Sequence, residues 1–106
     1  MKTLIDILHQ GGYSCVIRNH DETRTFKQRG VADLWALCQD NENFLNEAQI
    51  ADKVVGKGAA ALMIHGGIKE VYADVISTPA LTLLQSYGTR VTFLTETDRI
   101  VNRQGN

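Results

Sequence analysis

The chain has 106 residues, of which 43% are hydrophobic and 22% are charged, and this size and composition are typical of one globular domain covering residues 1–106. Eleven Lys and Arg residues against twelve Asp and Glu residues give a net charge of −1, which leaves no positive excess for binding a nucleic-acid polymer. The longest apolar run, residues 59–64, is too short to cross a bilayer, and residues 1–8 lack a secretory pattern, so we expect a cytoplasmic protein without membrane contact.

The first third of the chain predicts a helix followed by a β-hairpin. Thr3 and Asp6 are spaced like a capping box, and apolar residues then recur at helical intervals until a pair of glycines. Residues 13–17 and 23–28 alternate in polarity, and the polar residues 19–22 between them are typical of a turn.

A second helix is predicted after residue 30, because apolar side chains recur there at intervals of three and four residues. The residues on this apolar face are Val31, Leu34, Trp35 and Cys38. We expect Cys38 to be a small buried side chain of this face and Cys15 to have the same role in the hairpin. The two thiols are expected to be reduced.

The next segment predicts a brief strand at residues 48–51 and then a third helix. Asp52 is the expected N-cap of this helix, which continues to about residue 65 and ends at a second pair of glycines. Residues 70–76 are mostly apolar or β-branched, with Asp74 as the only interior charge, and this pattern favours a central strand.

The last part of the chain predicts one helix and two strands. Thr78 is the expected cap of the helix, with Pro79 in its first turn, where a missing N–H group is tolerated. Residues 90–95 and 99–102 are the expected strands, joined by a turn at residues 96–98.

Strands alternating with helices through short links predict an α/β fold. A strand, a helix and a second strand form a right-handed crossover, which makes the two strands parallel. We therefore expect a mixed sheet of about five strands, with a parallel centre and hairpins at its edges.

The predicted ligand site lies where two helices begin at the carboxyl ends of neighbouring strands. Exposed N–H groups and the helix dipole converge at such an edge of an α/β sheet. The candidate ligand-binding residues there are Asp52, Lys53, Gly56, Lys57, Ser77 and Thr78.

Two interpretations of these residues remain open. In one, Asp52 is only an N-cap, and the two lysines are solvated side chains. In the other, the lysines and the helix starts bind a phosphate or carboxylate, while Asp52 accepts hydrogen bonds from a sugar or amine. The Gly56-Lys57 pair is not a P-loop, because Gly58 follows it instead of Ser or Thr.

No metal site or cofactor is expected. His9, His20 and His65 are far apart along the chain, and no pair of histidines or cysteines has ligand spacing. The sequence identifies no catalytic residue, because a nucleophilic cysteine needs a neighbouring base that spacing alone does not reveal.

Several motifs in the central third of the chain carry a resemblance to a known family. They are Asp52-Lys53-Val54-Val55-Gly56-Lys57, Ala59-Ala60-Ala61, Lys69-Glu70-Val71-Tyr72-Ala73, Ile76-Ser77-Thr78-Pro79-Ala80-Leu81 and the later Ile100-Val101-Asn102-Arg103. The chain resembles a small prokaryotic domain-of-unknown-function family with a cytidine deaminase-like fold. The resemblance implies a three-layer domain of that type.

Zinc-dependent deaminases carry His-x-Glu at one helix start and Pro-Cys-x-x-Cys at the next. Here Pro79 is followed by Ala80 and Leu83 in place of the two cysteines, and the first helix start has neither His nor Glu. We therefore expect a deaminase-like fold without zinc-dependent deaminase activity.

The leading hypothesis is a domain that binds a small anionic molecule, such as a nucleotide, between the two helix starts. One alternative is a metal-independent enzyme that acts on a nucleobase-like or carbonyl substrate, with Asp52 or a lysine as base or amine. The other is an interaction module that forms a homodimer through an exposed apolar surface or edge strand.

Overall fold

The helices and strands follow one another in the predicted order as far as residue 97. The structure is a computed structural model that describes residues 1–28 and 31–100. Its elements are α1 (Lys2–Gly11), β1 (Cys15–Asn19), β2 (Glu22–Phe26), α2 (Ala32–Gln39), β3 (Gln49–Val55), α3 (Lys57–Gly66), β4 (Glu70–Ser77), α4 (Thr78–Ser86) and β5 (Arg90–Thr97). None of the helices in these ranges has the length and apolar character that crossing a membrane requires.

The five strands form one sheet in the order β2-β1-β3-β4-β5. β1 is antiparallel to both of its neighbours, whereas β3, β4 and β5 are parallel to one another. Helices α3 and α4 are the crossovers that return the chain between the parallel strands. The predicted α/β fold and its mixed sheet with a parallel centre are therefore confirmed, and a hairpin forms one edge.

Helices cover both faces of the sheet, which gives three layers. The larger apolar cluster lies on the side of α2, α3 and α4 and includes Ile50 and Leu84. The smaller one lies under α1 and includes Leu4, Leu8 and Ala51. Ile50 and Ala51 are consecutive in β3 but belong to different clusters, because side chains along a strand alternate between faces. Because an apolar cluster covers each face, β3 carries apolar side chains on both sides.

Helix α1 begins two residues earlier than a capping box at Thr3 and Asp6 predicts. Met1 is its N-cap residue, and no side chain of the described residues caps this end, so the proposed role of Thr3 and Asp6 is wrong. The packing of Leu4 and Leu8, one turn apart and both fully buried, fixes the helix instead. Its end was predicted well, because Gly12 has a φ of 66° in the left-handed region.

Strand β3 continues four residues beyond its predicted end. Asp52 was expected to start a helix, but it lies inside β3, opposite Cys15 on one side and Ala73 on the other. Pairing with strands on both sides outweighs the local preference of Asp for a cap position. The N-cap of α3 is Gly56, in an extended conformation.

The start of α4 also differs from the prediction by one residue. Ser77, not Thr78, is the N-cap, and its Oγ accepts a hydrogen bond from the Ala80 N–H group at 3.1 Å. Pro79 lies in the first turn as predicted.

The apolar face of α2 is rotated relative to its predicted position. Leu34 and Leu37 are its buried residues, while the Trp35 side chain is 57% exposed. Cys38 is partly buried against the core, where its thiol contacts the Leu62 carbonyl oxygen at 3.5 Å, and Cys15 is buried. The expected burial is confirmed for Cys15, whereas Cys38 is only partly buried, and both are free.

The predicted turn at residues 96–98 is wrong, because β5 continues to Thr97. Arg99 and Ile100 are not in a strand, and the rest of the predicted strand, residues 101–102, lies outside the described residues. Within the described ranges, β5 therefore forms the second edge of the sheet without a hairpin partner.

Candidate functional site

Two helices begin side by side at the carboxyl ends of β3 and β4. The strands are parallel neighbours, and Val55 near the end of β3 pairs with Ile76 near the end of β4. Each chain segment then turns directly into a helix. The predicted site residues at these two helix starts are Gly56, Lys57, Ser77 and Thr78. The structure thus brings four of the six candidates to one edge of the sheet.

The start of α3 has the features of an anion-binding surface. Gly56 is its N-cap, no side chain of the described residues caps the helix, and its first turn contains no acidic residue. The backbone N–H groups of a first turn have no partner within the helix, and they form its positive end. Lys57 is exposed beside them, and the exposed Gly58 has open space where a side chain would lie. An anion can therefore approach both the backbone and an ammonium group here.

The start of α4 is already occupied by the protein's own polar groups. Ser77 is buried, and its hydroxyl oxygen accepts from the backbone of the first turn. Thr78 Oγ1 lies 2.8 Å from Glu96 Oε2 and 3.2 Å from the Thr97 carbonyl oxygen, so its hydroxyl group donates within the protein. The Glu96 carboxylate also adds negative charge beside this helix start. The two helix starts therefore differ in their capacity for anions.

Asp52 lies upstream of this edge, in a setting that disfavours its charge. Its pKa is raised to about 7, mainly by burial and to a smaller extent by the Asp74 carboxylate, while hydrogen bonds from the Val54 and Lys53 N–H groups act in the opposite direction. The Val54 N–H group lies 3.4 Å from Asp52 Oδ1, and part of the side chain stays accessible to solvent. A carboxyl group with this pKa exchanges its proton near neutral pH, as a general acid or base must.

Cys15, directly opposite Asp52 on β1, does not supply a nucleophile. Burial raises the pKa of its thiol well above the usual value, and the nearby carboxylates of Asp52 and Asp33 raise it further. The thiol is therefore protonated at neutral pH.

Lys53 does not share a face of the sheet with Asp52, because consecutive residues of a strand alternate. Asp52 lies on the face of its paired residues Cys15 and Ala73, both in the larger cluster. Lys53 follows on the α1 face, two residues after Ala51 of the smaller cluster. The two side chains thus do not converge on one ligand from the same face, and a ligand role for either of them stays a prediction.

The helix starts do not fit a zinc ion of the deaminase type. Ala80 and Leu83 of α4 have hydrocarbon side chains and pack in or against the apolar core. Among residues 1–28 and 31–100, no three His, Cys, Asp or Glu side chains lie close enough together to hold a metal ion. No chemistry that depends on zinc can be derived from these residues.

A polar cluster on the α1 face was missed by the sequence analysis. Asp74 Oδ1 accepts a hydrogen bond from the Tyr72 hydroxyl group and lies 2.8 Å from His9 Nε2 of α1. Burial and the bond to Asp74 raise the pKa of Tyr72 to about 12. The available signal was Asp74 itself, the single interior charge of a central strand, with Tyr72 two residues away on the same face. The cluster ties α1 to the sheet.

A surface depression of about 410 Å³ lies beside the hairpin turn. Its central cation, Arg24, is 3.9 Å from the centre of the Phe44 ring and forms ion pairs with Glu22 and Glu42. The positive charge there is therefore neutralised by the protein. A smaller depression lies between α2 and the end of α3, and neither one includes the two helix starts.

A family model described as TM1506, domain of unknown function (DUF1893), matches residues 3–106. The crystal structure of a DUF1893 family protein (TM1506) from Thermotoga maritima is similar to this chain, with a TM-score of 0.85 and 24% sequence identity. The match covers 99% of this chain and 71% of that protein. A search of curated proteins finds no match.

Two larger proteins share the fold over part of their length. RibD from Acinetobacter baumannii matches with a TM-score of 0.57 and 16% identity, over 87% of this chain and 33% of RibD. A diaminohydroxyphosphoribosylaminopyrimidine deaminase/5-amino-6-(5-phosphoribosylamino)uracil reductase from Thermotoga maritima matches with a TM-score of 0.55 and 14% identity, over 89% of this chain and 35% of that protein. This chain therefore spans about a third of each of them, and the likeness is one of fold.

Proposed function

Given that the chain belongs to the DUF1893 family of unknown function and has a deaminase-like fold, we propose that it binds a small anionic ligand, such as the phosphate of a nucleotide, at the start of α3. The observation that carries the proposal is the helix start itself. It has no side-chain cap among the described residues, no acidic residue in its first turn, and the exposed Lys57 beside it.

The expected contacts follow from the chemistry of these groups. The first-turn N–H groups would donate to the oxygens of the anion, and the Lys57 ammonium group would add a charge-assisted hydrogen bond. Gly58 leaves room for the ligand to approach the backbone. Thr78 would take part only by exchanging its bond to Glu96 for one to the ligand. The proposal thus depends most on Lys57 and the backbone of α3.

The fold guides the choice of ligands for a test. The deaminase/reductase from Thermotoga maritima is named for phosphoribosyl-aminopyrimidine compounds, which combine a phosphate, a ribose and a pyrimidine base. Ligand positions are often shared at one edge of related α/β sheets, although the chemistry differs. Inorganic phosphate, ribose 5-phosphate and cytidine monophosphate therefore form a graded series of probes.

Binding can be measured as a ligand-dependent rise in Tm, because a ligand that binds only the folded state stabilises it. We expect at least one probe to raise Tm in a concentration-dependent way. Lys57→Ala should weaken this binding roughly tenfold or more, the effect of losing one charge-assisted hydrogen bond. Lys69→Ala is the matched control, since Lys69 is also exposed but precedes β4 at the opposite end of the strand. The proposal is wrong if no probe shifts Tm, or if both variants bind equally well.

Asp52 supports a second candidate, a metal-independent enzyme that acts on a nucleobase-like or carbonyl substrate. Its pKa of about 7 is suited to accepting and returning a proton at neutral pH. Mass spectrometry of the incubated cytidine monophosphate and ribose 5-phosphate would detect turnover, which Asp52→Asn should abolish. Turnover that survives this substitution would exclude Asp52 as the base, and binding without turnover would favour the binding function alone.

A further inference from the structure

Among residues 1–28 and 31–100, β5 is an edge strand of the sheet. Within the described residues, β5 pairs with β4 and with no other strand. The Arg90 N–H group donates to the Lys69 carbonyl oxygen on the β4 side, at 3.3 Å. Because backbone groups along a parallel strand point alternately to the two sides, those of Val91 and Phe93 point away from the sheet. No strand in the described part of the chain pairs with these groups.

The side chains of β5 do not discourage such pairing. Edge strands are commonly protected by charged residues or proline in their middle, and β2 at the other edge carries Arg24 at its centre. In β5 the five residues 91–95 are uncharged. Leu94 is 70% exposed and Phe93 is 38% exposed, so the strand presents apolar surface to solvent.

The charges of β5 lie at symmetrical positions about its centre. Arg90 is three residues before Phe93, and Glu96 is three residues after it. When two copies of such a strand pair antiparallel with Phe93 at the twofold axis, Arg90 lies opposite the partner's Glu96, and Glu96 lies opposite the partner's Arg90. A parallel in-register pairing would instead place like charges beside each other.

We propose that the domain forms a homodimer in which β5 pairs antiparallel with β5 of a second copy about a twofold axis at Phe93. The outward backbone groups of Phe93 face those of the partner's Phe93, so the central residues exchange hydrogen bonds. The pairing joins the two sheets into one continuous sheet and closes both exposed edges. It uses neither Lys57 nor the α3 start, so it stands or fails independently of the proposed ligand site.

Sedimentation velocity over a range of protein concentrations tests this pairing. We expect a reversible monomer–dimer equilibrium in the wild-type protein. Arg90→Glu and Glu96→Arg should each weaken dimerisation roughly tenfold or more, because each places two pairs of like charges across the interface. The double variant Arg90→Glu/Glu96→Arg restores opposite charges and should recover most of the wild-type affinity. Lys2→Glu on the exposed side of α1 is the charge-matched control and should have no effect.

Circular dichroism and Tm show whether each variant is folded. Because Glu96 also accepts a hydrogen bond from Thr78, Leu94→Lys provides a second disrupting variant that makes no such contact. It should weaken dimerisation while the protein stays folded, since Leu94 is already exposed. A protein that is monomeric at every soluble concentration overturns the proposal. The proposal is also wrong if Arg90→Glu and Leu94→Lys are both folded and still dimerise as the wild type does. It is wrong as well if the double variant Arg90→Glu/Glu96→Arg is folded but does not recover dimerisation.

Discussion

Asp52 illustrates how one residue can change its role with its surroundings. In an isolated segment, an Asp before a helical pattern is a natural N-cap. In the folded protein it lies between two paired strands, opposite Cys15 and Ala73, and burial raises its pKa to about 7. The sheet therefore converts a local capping candidate into a carboxyl group that titrates near neutral pH.

This raised pKa predicts a specific dependence of stability on pH. The unfolded carboxyl group loses its proton near pH 4 and the folded one near pH 7, so the contribution of Asp52 is complete below about pH 4. It is lost as the pH rises from about 4 to 7. Because the side chain keeps some contact with solvent, we expect a loss on the order of 2 kcal/mol.

Asp52→Asn removes this titration, so its stability relative to the wild type should rise between about pH 4 and pH 7. Urea unfolding of both proteins at several pH values measures the difference. Asp6→Asn, at an exposed site on α1, is the control for removing a carboxylate. A difference between Asp52→Asn and the wild type that does not change with pH would contradict the raised pKa.

At the scale of elements, the starts of α3 and α4 both follow a parallel strand but differ in how they are capped. The start of α3 has Gly56 as N-cap without a side-chain cap, whereas α4 is capped by the buried Ser77 and flanked by Glu96. Both follow parallel strands of the same sheet. Among the described residues, only the first of these two helix starts lacks a side-chain cap.

The capping role of Ser77 leads to a second prediction. Ser77→Ala leaves the Ala80 N–H group without its acceptor inside the protein, so it should lower the free energy of unfolding by about 1 kcal/mol. Ser86→Ala is the matched control, because the Ser86 hydroxyl group is exposed and donates to the Leu83 carbonyl oxygen at the other end of α4. Its effect should stay within about 0.5 kcal/mol. Equal losses in the two variants would contradict the assignment of Ser77 as the cap.

At the scale of the whole molecule, apolar packing on both faces of the sheet accounts for the fold. Helices α2, α3 and α4 cover one face and α1 covers part of the other, with separate buried clusters beneath them. The hydrophobic effect of these clusters is the main stabilising contribution expected in a domain of this size. Ala80 and Leu83 stand at the positions where the Pro-Cys-x-x-Cys motif of zinc deaminases has its cysteines, and both pack in or against this core.

A chelator should therefore leave the stability of the protein unchanged. Structural metal ions contribute directly to folding, so their removal lowers Tm. With hydrocarbon side chains at Ala80 and Leu83, we expect EDTA to change neither Tm nor the circular dichroism spectrum. Differential scanning calorimetry before and after dialysis against EDTA measures this directly. A clear drop in Tm that zinc reverses would show that the protein holds a metal ion.

The order of elements, the parallel centre of the sheet and the family were all accessible from the sequence. Periodicity identified the four helices, short links required parallel crossovers, and the motifs around residues 52–57 and 76–81 carried the resemblance. These features depend on interactions between residues that are close along the chain and on the lengths of the links between elements. The sequence shows both of these directly.

The tertiary structure decided the features that depend on which segments meet. Pairing with β1 and β4 extended β3 through Asp52, and docking of α2 left Trp35 exposed while Leu34 and Leu37 became buried. Distant contacts likewise placed Glu96 against Thr78 and His9 against Asp74. Local pattern determines what a segment can become, but burial and charge depend on neighbours supplied by the whole fold.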